Sequence, residues 1–182
     1  MKHTIIAASL VACAGLSQAA AGDYASVQVD HVKDSKSSAV STAQYFRAGT
    51  TAYGLNLDAQ VRTAVFSKGG MLNSVELTAG KGLGPVKVFG GFGHDNGFNG
   101  AKGGSYDYGL VGVSAGYGIG KAYGFGGVKT RLNWEATNPR QTVAFAGVSY
   151  ALTKSLSVDA DWSKSYGNIK EDALGLGMRV SF

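Results

Sequence analysis

From Leu156 to Ser163 apolar and polar side chains alternate without a break. Leu156, Val158, Ala160 and Trp162 share one face, and Ser157, Asp159, Asp161 and Ser163 share the other. The last ten residues repeat the pattern, with Leu174, Leu176, Met178, Val180 and Phe182 opposed to Ala173, Gly175, Gly177, Arg179 and Ser181. A helix would mix these faces; a strand separates them. The same test predicts ten strands, at 23–33, 44–57, 60–67, 72–81, 85–94, 106–118, 122–134, 142–152, 156–166 and 173–182. If 60–67 and 72–81 do not cross, the count is eight. Strand 122–134 changes parity: Tyr123 and Phe125 lie on one face, and Val128, Thr130, Leu132 and Trp134 on the opposite one. A bulge at Gly126-Gly127 is expected to reconcile them.

The connections alternate in length. The long set is 34–43, 68–71, 95–105, 135–141 and 167–171; the short set is 58–59, 82–84, 119–121 and 153–155. A soluble sandwich has no reason to sort its loops by parity, whereas a membrane barrel has long outer loops and short periplasmic turns. An apolar band ~25 Å tall, crossed by tilted strands, needs about ten residues per strand, and most of the segments meet that length. Aromatic residues fall at segment ends. Tyr53, Tyr117, Tyr123, Tyr150 and Phe182 are expected near one rim, and Tyr45, Phe92, Trp134, Trp162 and Tyr166 near the other.

The first residues stand apart. Lys2 and His3 precede an apolar run from Thr4 to Leu16, and Ser17-Gln18-Ala19-Ala20-Ala21 offers small-residue cleavage sites. Residues 1–21 therefore read as a cleaved signal peptide and 22–182 as the mature domain. The single Cys13 lies in the signal, so the mature chain has no disulfide framework. Leu10-Val11-Ala12-Cys13 also resembles a lipoprotein signal box, which leaves acylation at Cys13 open. With 28 glycines among 182 residues and a formal charge of +5 without any basic run, the composition does not suit a nucleic-acid binder.

The ending Gly177-Met178-Arg179-Val180-Ser181-Phe182 resembles the C-terminal signature of bacterial outer-membrane β-barrels. That signature is a glycine followed by apolar residues alternating down to a terminal aromatic. Gly175 stands where the family usually has a polar residue. The resemblance implies an all-β, single antiparallel transmembrane barrel of the compact surface-protein or small-porin type in the outer membrane of a Gram-negative bacterium. It also implies that Gly177, Met178, Val180 and Phe182 form the signal read by the barrel-assembly machinery.

Parity sends Arg62, Glu76, Lys87, Lys129, Arg131, Asn133, Asp159, Asp161 and Arg179 into the barrel. Charge facing lipid is costly, so the bore is the sensible place for these groups. They form either a polar channel for small hydrophilic solutes or a closed network that fills the interior, in which Lys129 and Arg131 are expected to meet Asp159 and Asp161. Arg47 shares parity with Tyr45 and Lys164 with Trp162. Both cations are expected to point outward and meet lipopolysaccharide phosphates at the outer rim.

Three functional classes follow: a narrow channel, a non-catalytic surface or structural barrel acting through loops 34–43 and 95–105, and an outer-membrane enzyme that modifies lipid A or cleaves protein. His94-Asp95 could form a rim acid–base pair, but no second acidic pair is set against it, so the expectation is a barrel without catalytic residues. The string Gly116-Tyr117-Gly118-Ile119-Gly120-Lys121 lacks the helix that a phosphate loop needs. No Cys/His cluster has metal-ligand spacing, and neither a metal nor a cofactor is expected.

Overall fold

The structure, a computed structural model, describes residues 23–34, 40–66, 70–98, 105–134, 141–167 and 170–182. The predicted signal segment and Cys13 lie outside the described residues.

Among the described residues the chain forms ten strands: β1 (Tyr24–Asp34), β2 (Val40–Ala52), β3 (Leu55–Phe66), β4 (Met71–Leu83), β5 (Val86–Phe98), β6 (Tyr106–Ile119), β7 (Ala122–Asn133), β8 (Gln141–Ala151), β9 (Leu156–Tyr166) and β10 (Glu171–Ser181). Each pairs antiparallel with its sequence neighbour, and β10 pairs with β1 to close a barrel. The closing seam is unbroken from Tyr24 opposite Ser181 to Asp34 opposite Glu171, and the Phe182 amide donates to the Asp23 carbonyl at 3.0 Å. Closure removes every sheet edge, which a membrane-spanning sheet requires because lipid cannot satisfy a free backbone group.

The turns 53–54, 84–85, 120–121 and 152–155 gather at one end; the strand ends that flank the longer connections, from Asp34 and Val40 to Tyr166 and Glu171, lie at the other. Several predicted boundaries are wrong: the second strand begins at Val40 rather than 44, the fifth runs to Phe98 rather than 94, and the turn between the second and third strands is displaced. The sequence reading ran the second strand to 57 and turned at 58–59, whereas the chain turns at Tyr53-Gly54, with φ of 53° and 73°. Positive φ at both central residues matches a type I′ hairpin turn, whose twist suits the flanking strands. Asp58 is free to be a strand residue and points into the bore, where it accepts from Tyr24 Oη at 2.7 Å.

The expected bulge in β7 is absent. The register with β6 runs unbroken through Phe125 opposite Gly116, Gly126 opposite Ala115 and Val128 opposite Val113. Tyr123 and Phe125 therefore keep one parity with Lys129 and Arg131 and line the bore rather than the rim. Tyr45 also turns inward. The parity argument failed here because it assumed that an aromatic must face lipid. Inward aromatics fit because glycines lie under them. Phe145 stands opposite Gly127 and Tyr108 opposite Gly93, and a side chain at either glycine would overlap the facing ring.

The outer wall carries the apolar residues. Leu174 and Leu176 lie mid-strand and are 65% and 71% exposed, and Val29, Val61, Val75 and Val111 are also exposed on this wall. A continuous apolar girdle around a polar interior is the inverse of a soluble protein and is stable only in lipid. Trp134, Trp162, Tyr166 and Phe92 stand outward on the long-loop side of this girdle, and Tyr53, Tyr117 and Tyr150 are exposed toward the short turns.

Candidate functional site

The bore is the candidate site. Every inward residue is placed by strand alternation, and the charged ones sort into levels along the strands.

Toward the long-loop end, Glu76 on β4 is the node of a network that crosses the bore. Lys129 Nζ donates to Glu76 Oε2 at 2.7 Å and to Oε1 at 3.0 Å, and Arg131 Nη2 donates to Oε1. Tyr108 Oη donates to Glu76 Oε1 at 3.2 Å, and Tyr106 Oη donates to Asp95 Oδ2 at 2.6 Å. Arg131 Nη1 lies 3.9 Å from Asp95, and its guanidinium carbon sits 4.8 Å from the Tyr108 ring centre. Strands β5 and β6 separate β4 from β7, so the link reaches across two intervening strands. On the opposite wall Val32, Ala43, Ala64 and Ala173 form a buried apolar cluster with Tyr45 and Leu72 packed on it. Arg62 lies beside it, 3.5 Å from Glu171.

At mid-depth Gln28 Nε2 donates to both Asp30 and Asp161, the latter at 3.0 Å. Arg47 Nε donates to Gln60 Oε1 at 2.9 Å, and its guanidinium carbon lies 5.3 Å from the Tyr45 ring centre. Nearer the short turns, Lys87 pairs with Asp58 at 2.8 Å and Arg179 lies 3.7 Å from Asp159.

Arg62, Glu76, Lys87, Lys129, Arg131, Asp161 and Arg179 thus surround the bore cavity. Asp159 shares their wall through Arg179, and Asn133 stands opposite Tyr108 at the long-loop end of β7. Two expectations are corrected. Lys129 and Arg131 do not meet Asp159 and Asp161. The inward Val143 and Phe145 of β8 stand between the two strands, and Glu76 reaches the cations from across the bore instead. Arg47 is not a rim residue. It follows Tyr45 into the bore, so shared parity held while the face assigned to both was wrong. Lys164 does face outward, where it pairs with Asp172 on β10 at 3.4 Å. Met178, Val180 and Phe182 keep the outward parity of the last strand, and Gly177 pairs with Gln28.

A His94-Asp95 pair does not form, because adjacent strand residues face opposite ways. Asp95 is buried in the bore while His94 is exposed on the outer wall. The sequence reading missed Asp30, Asp58, Asp95, Tyr106 and Tyr108 as bore residues. The predicted segments place Asp95 in a loop and Asp58 in a turn, whereas the inward faces of β1 and β6 are legible in their alternation. Among the described residues no group of three acidic, His or Cys side chains could hold a metal ion.

No family model and no curated protein matches this chain by sequence. Its fold is similar to the beta domain of the Bordetella autotransporter Brka, at TM-score 0.53 and 13% identity over 88% of this chain and 99% of that one. It is also similar to the translocator domain of the autotransporter NalP from Neisseria meningitidis, at TM-score 0.51 and 14% identity over 100% and 96%. Neisserial surface protein A aligns at TM-score 0.49 and 21% identity over 89% and 98%. With the apolar wall, the polar bore and the closed ten-strand sheet, the chain has the fold of a small bacterial outer-membrane β-barrel.

Proposed function

We propose that the barrel is a narrow channel for small hydrophilic solutes. One observation carries this reading. The bore holds a cavity of about 830 Å³ whose walls run from Pro85 and Thr153 at the short turns to Gln141 and Glu171 at the opposite strand ends. Its charged lining would favour ions and polar molecules over apolar ones. The Glu76 network occupies one side of this path, toward the long-loop end. Refolded protein in planar bilayers should show small, discrete conductance steps. Correctly folded protein that shows none would sink the channel.

A second reading is favoured by the long-loop end of the bore, where Val32, Ala43, Ala64 and Tyr108 are fully packed. It makes the barrel a closed structural scaffold that acts through its outer loops, whose central residues 35–39 and 99–104 lie outside the described residues. Absent conductance together with loop-dependent ligand binding would favour it. In either case the lipid wall implies a role for membrane partners. Lys164 is proposed to meet lipopolysaccharide phosphate, sharing its charge with Asp172, and the residues ending in Phe182 to engage the barrel-assembly machinery.

A further inference from the structure

On the outer wall at the long-loop end, three side chains form a hydrogen-bonded chain. His94 Nδ1 lies 2.7 Å from Asp107 Oδ1, and Ser105 Oγ lies 2.9 Å from His94 Nε2. The direction of the protons follows from the partners. A carboxylate can only accept, so Nδ1 carries the proton and donates to Asp107. Nε2 is then a lone-pair acceptor, and Ser105 O–H donates to it. This is the order of groups that activates a serine hydroxyl: a nucleophile, a base, and a carboxylate that holds the base in the right tautomer. Ser105 is exposed, and the His94 and Asp107 side chains are 46% and 64% exposed, so a substrate can reach the hydroxyl.

The surroundings indicate the substrate class. His94 and Asp107 are paired in register and point away from the bore, opposite to their neighbours Asp95 and Tyr108. Directly toward the membrane lie the exposed Phe92 and Val111, and Val75 stands beside His94 on β4. Gly109 leaves a gap in this floor bounded by Trp134, whose Nε1 is 3.4 Å from the position of a side chain there. The triad thus sits where the lipid-facing wall meets the loops, with an apolar floor beneath it.

We infer that Ser105, His94 and Asp107 form a serine esterase site for fatty-acyl esters of outer-leaflet lipid. His94 Nε2 takes the Ser105 proton as Oγ attacks the ester carbonyl carbon. The ester C–O bond breaks, the leaving alcohol takes that proton, and the acyl group remains on Ser105. Water, deprotonated by His94, then releases the carboxylic acid and restores the serine. The site is separate from the bore, so it stands or falls independently of conductance.

The test uses the full mature barrel in detergent micelles with p-nitrophenyl dodecanoate, then with phosphatidylethanolamine and with purified lipopolysaccharide, and follows fatty acid release. Wild type should hydrolyse the reporter ester and one of the two lipids, and the lipid that is cut identifies the source of the acyl chain. Ser105→Ala and His94→Gln should reduce turnover to background with unchanged heat-modifiable mobility, and Asp107→Asn should lower it by up to about 10⁴-fold. A fluorophosphonate probe should label Ser105 in wild type and not in His94→Gln. Lack of turnover by folded wild type, retained turnover in Ser105→Ala, or cleavage of the reporter but of neither lipid would each overturn the proposal.

Discussion

Glu76 on β4 and Arg131 on β7 form an ion pair across the bore, over two intervening strands whose inward positions include Gly93 and Gly112. The pair ties non-adjacent staves of the barrel together at its long-loop end. Lys129 joins the same carboxylate, and their side chains are 5% exposed for Glu76, 10% for Arg131 and 19% for Lys129. A carboxylate this enclosed is the compensating charge for two cations, so its removal affects both.

Glu76→Gln should therefore be among the most destabilising single changes in the bore. It leaves Lys129 and Arg131 without their shared counter-charge, and breaking a buried pair typically costs about 3–5 kcal/mol. Replacing all three together, as Glu76→Leu with Lys129→Met and Arg131→Met, should cost less, because no buried charge is left uncompensated. The comparison is read from the heat-modifiability midpoint in one detergent. A triple variant weaker than Glu76→Gln would show that the network matters for more than charge balance.

Gly93 and Tyr108 make a second pair open to test. The Tyr108 ring lies over Gly93, and a Cβ there would run into the ring and its hydroxyl. Gly93→Ala should cost about 1–3 kcal/mol through overpacking. Most of that loss should disappear in a Tyr108→Leu background, where the obstructing ring is gone. Equal losses in both backgrounds would mean that the strand needs glycine for its curvature rather than for the ring.

The legibility of this fold follows from the physics of each signal. Period-two alternation is enforced along the whole of β9 and β10 by lipid on one side and water on the other, so those strands could be read directly. Where an aromatic faces the bore, as Tyr45, Tyr123 and Phe125 do, alternation survives but the label on each face is lost. That is why parity alone points Arg47 outward and predicts a bulge in β7. Pairing across the bore was not legible at all. Glu76 and Arg131 are 55 positions apart, and which cation a carboxylate meets depends on barrel curvature and on side-chain reach, neither of which has a sequence period. The Ser105–His94–Asp107 chain escaped for a related reason. Its partners sit on adjacent strands in a register that only the closed sheet defines.

If the bore conducts, its mid-depth charges should set selectivity with opposite signs. Asp161 accepts from Gln28 at 3.0 Å, and an asparagine oxygen can still accept there, so Asp161→Asn should leave stability nearly intact. Its lost negative charge should move the reversal potential toward anion preference. Arg47→Gln removes a positive charge from the facing strands and should move it toward cations. Asp159→Asn differs from Asp161→Asn because it leaves Arg179 without its carboxylate, so it should also lower the melting midpoint. Shifts of the same sign for Asp161→Asn and Arg47→Gln would contradict the placement of these charges on the conducting path.

Phe182 separates a folding instruction from a folding contact. Its side chain borders an apolar hollow of about 660 Å³ on the outer wall, next to Leu57, Leu77 and Phe92, and its amide closes the seam by donating to Asp23 at 3.0 Å. Phe182→Ala keeps the amide and removes only the ring. In a bilayer the vacated space fills with acyl chain, which is as apolar as the ring it replaces, so the stability of refolded protein in vesicles should change little. If the ring is instead read during assembly, the same variant should reach the outer membrane in clearly lower folded yield at native expression, and deletion of Phe182 should lower it further. The two measurements must disagree for the assembly role to hold. Losses that match in cells and in vesicles would assign the ring to packing at the seam, and unchanged yield in cells would remove Phe182 from the assembly signal.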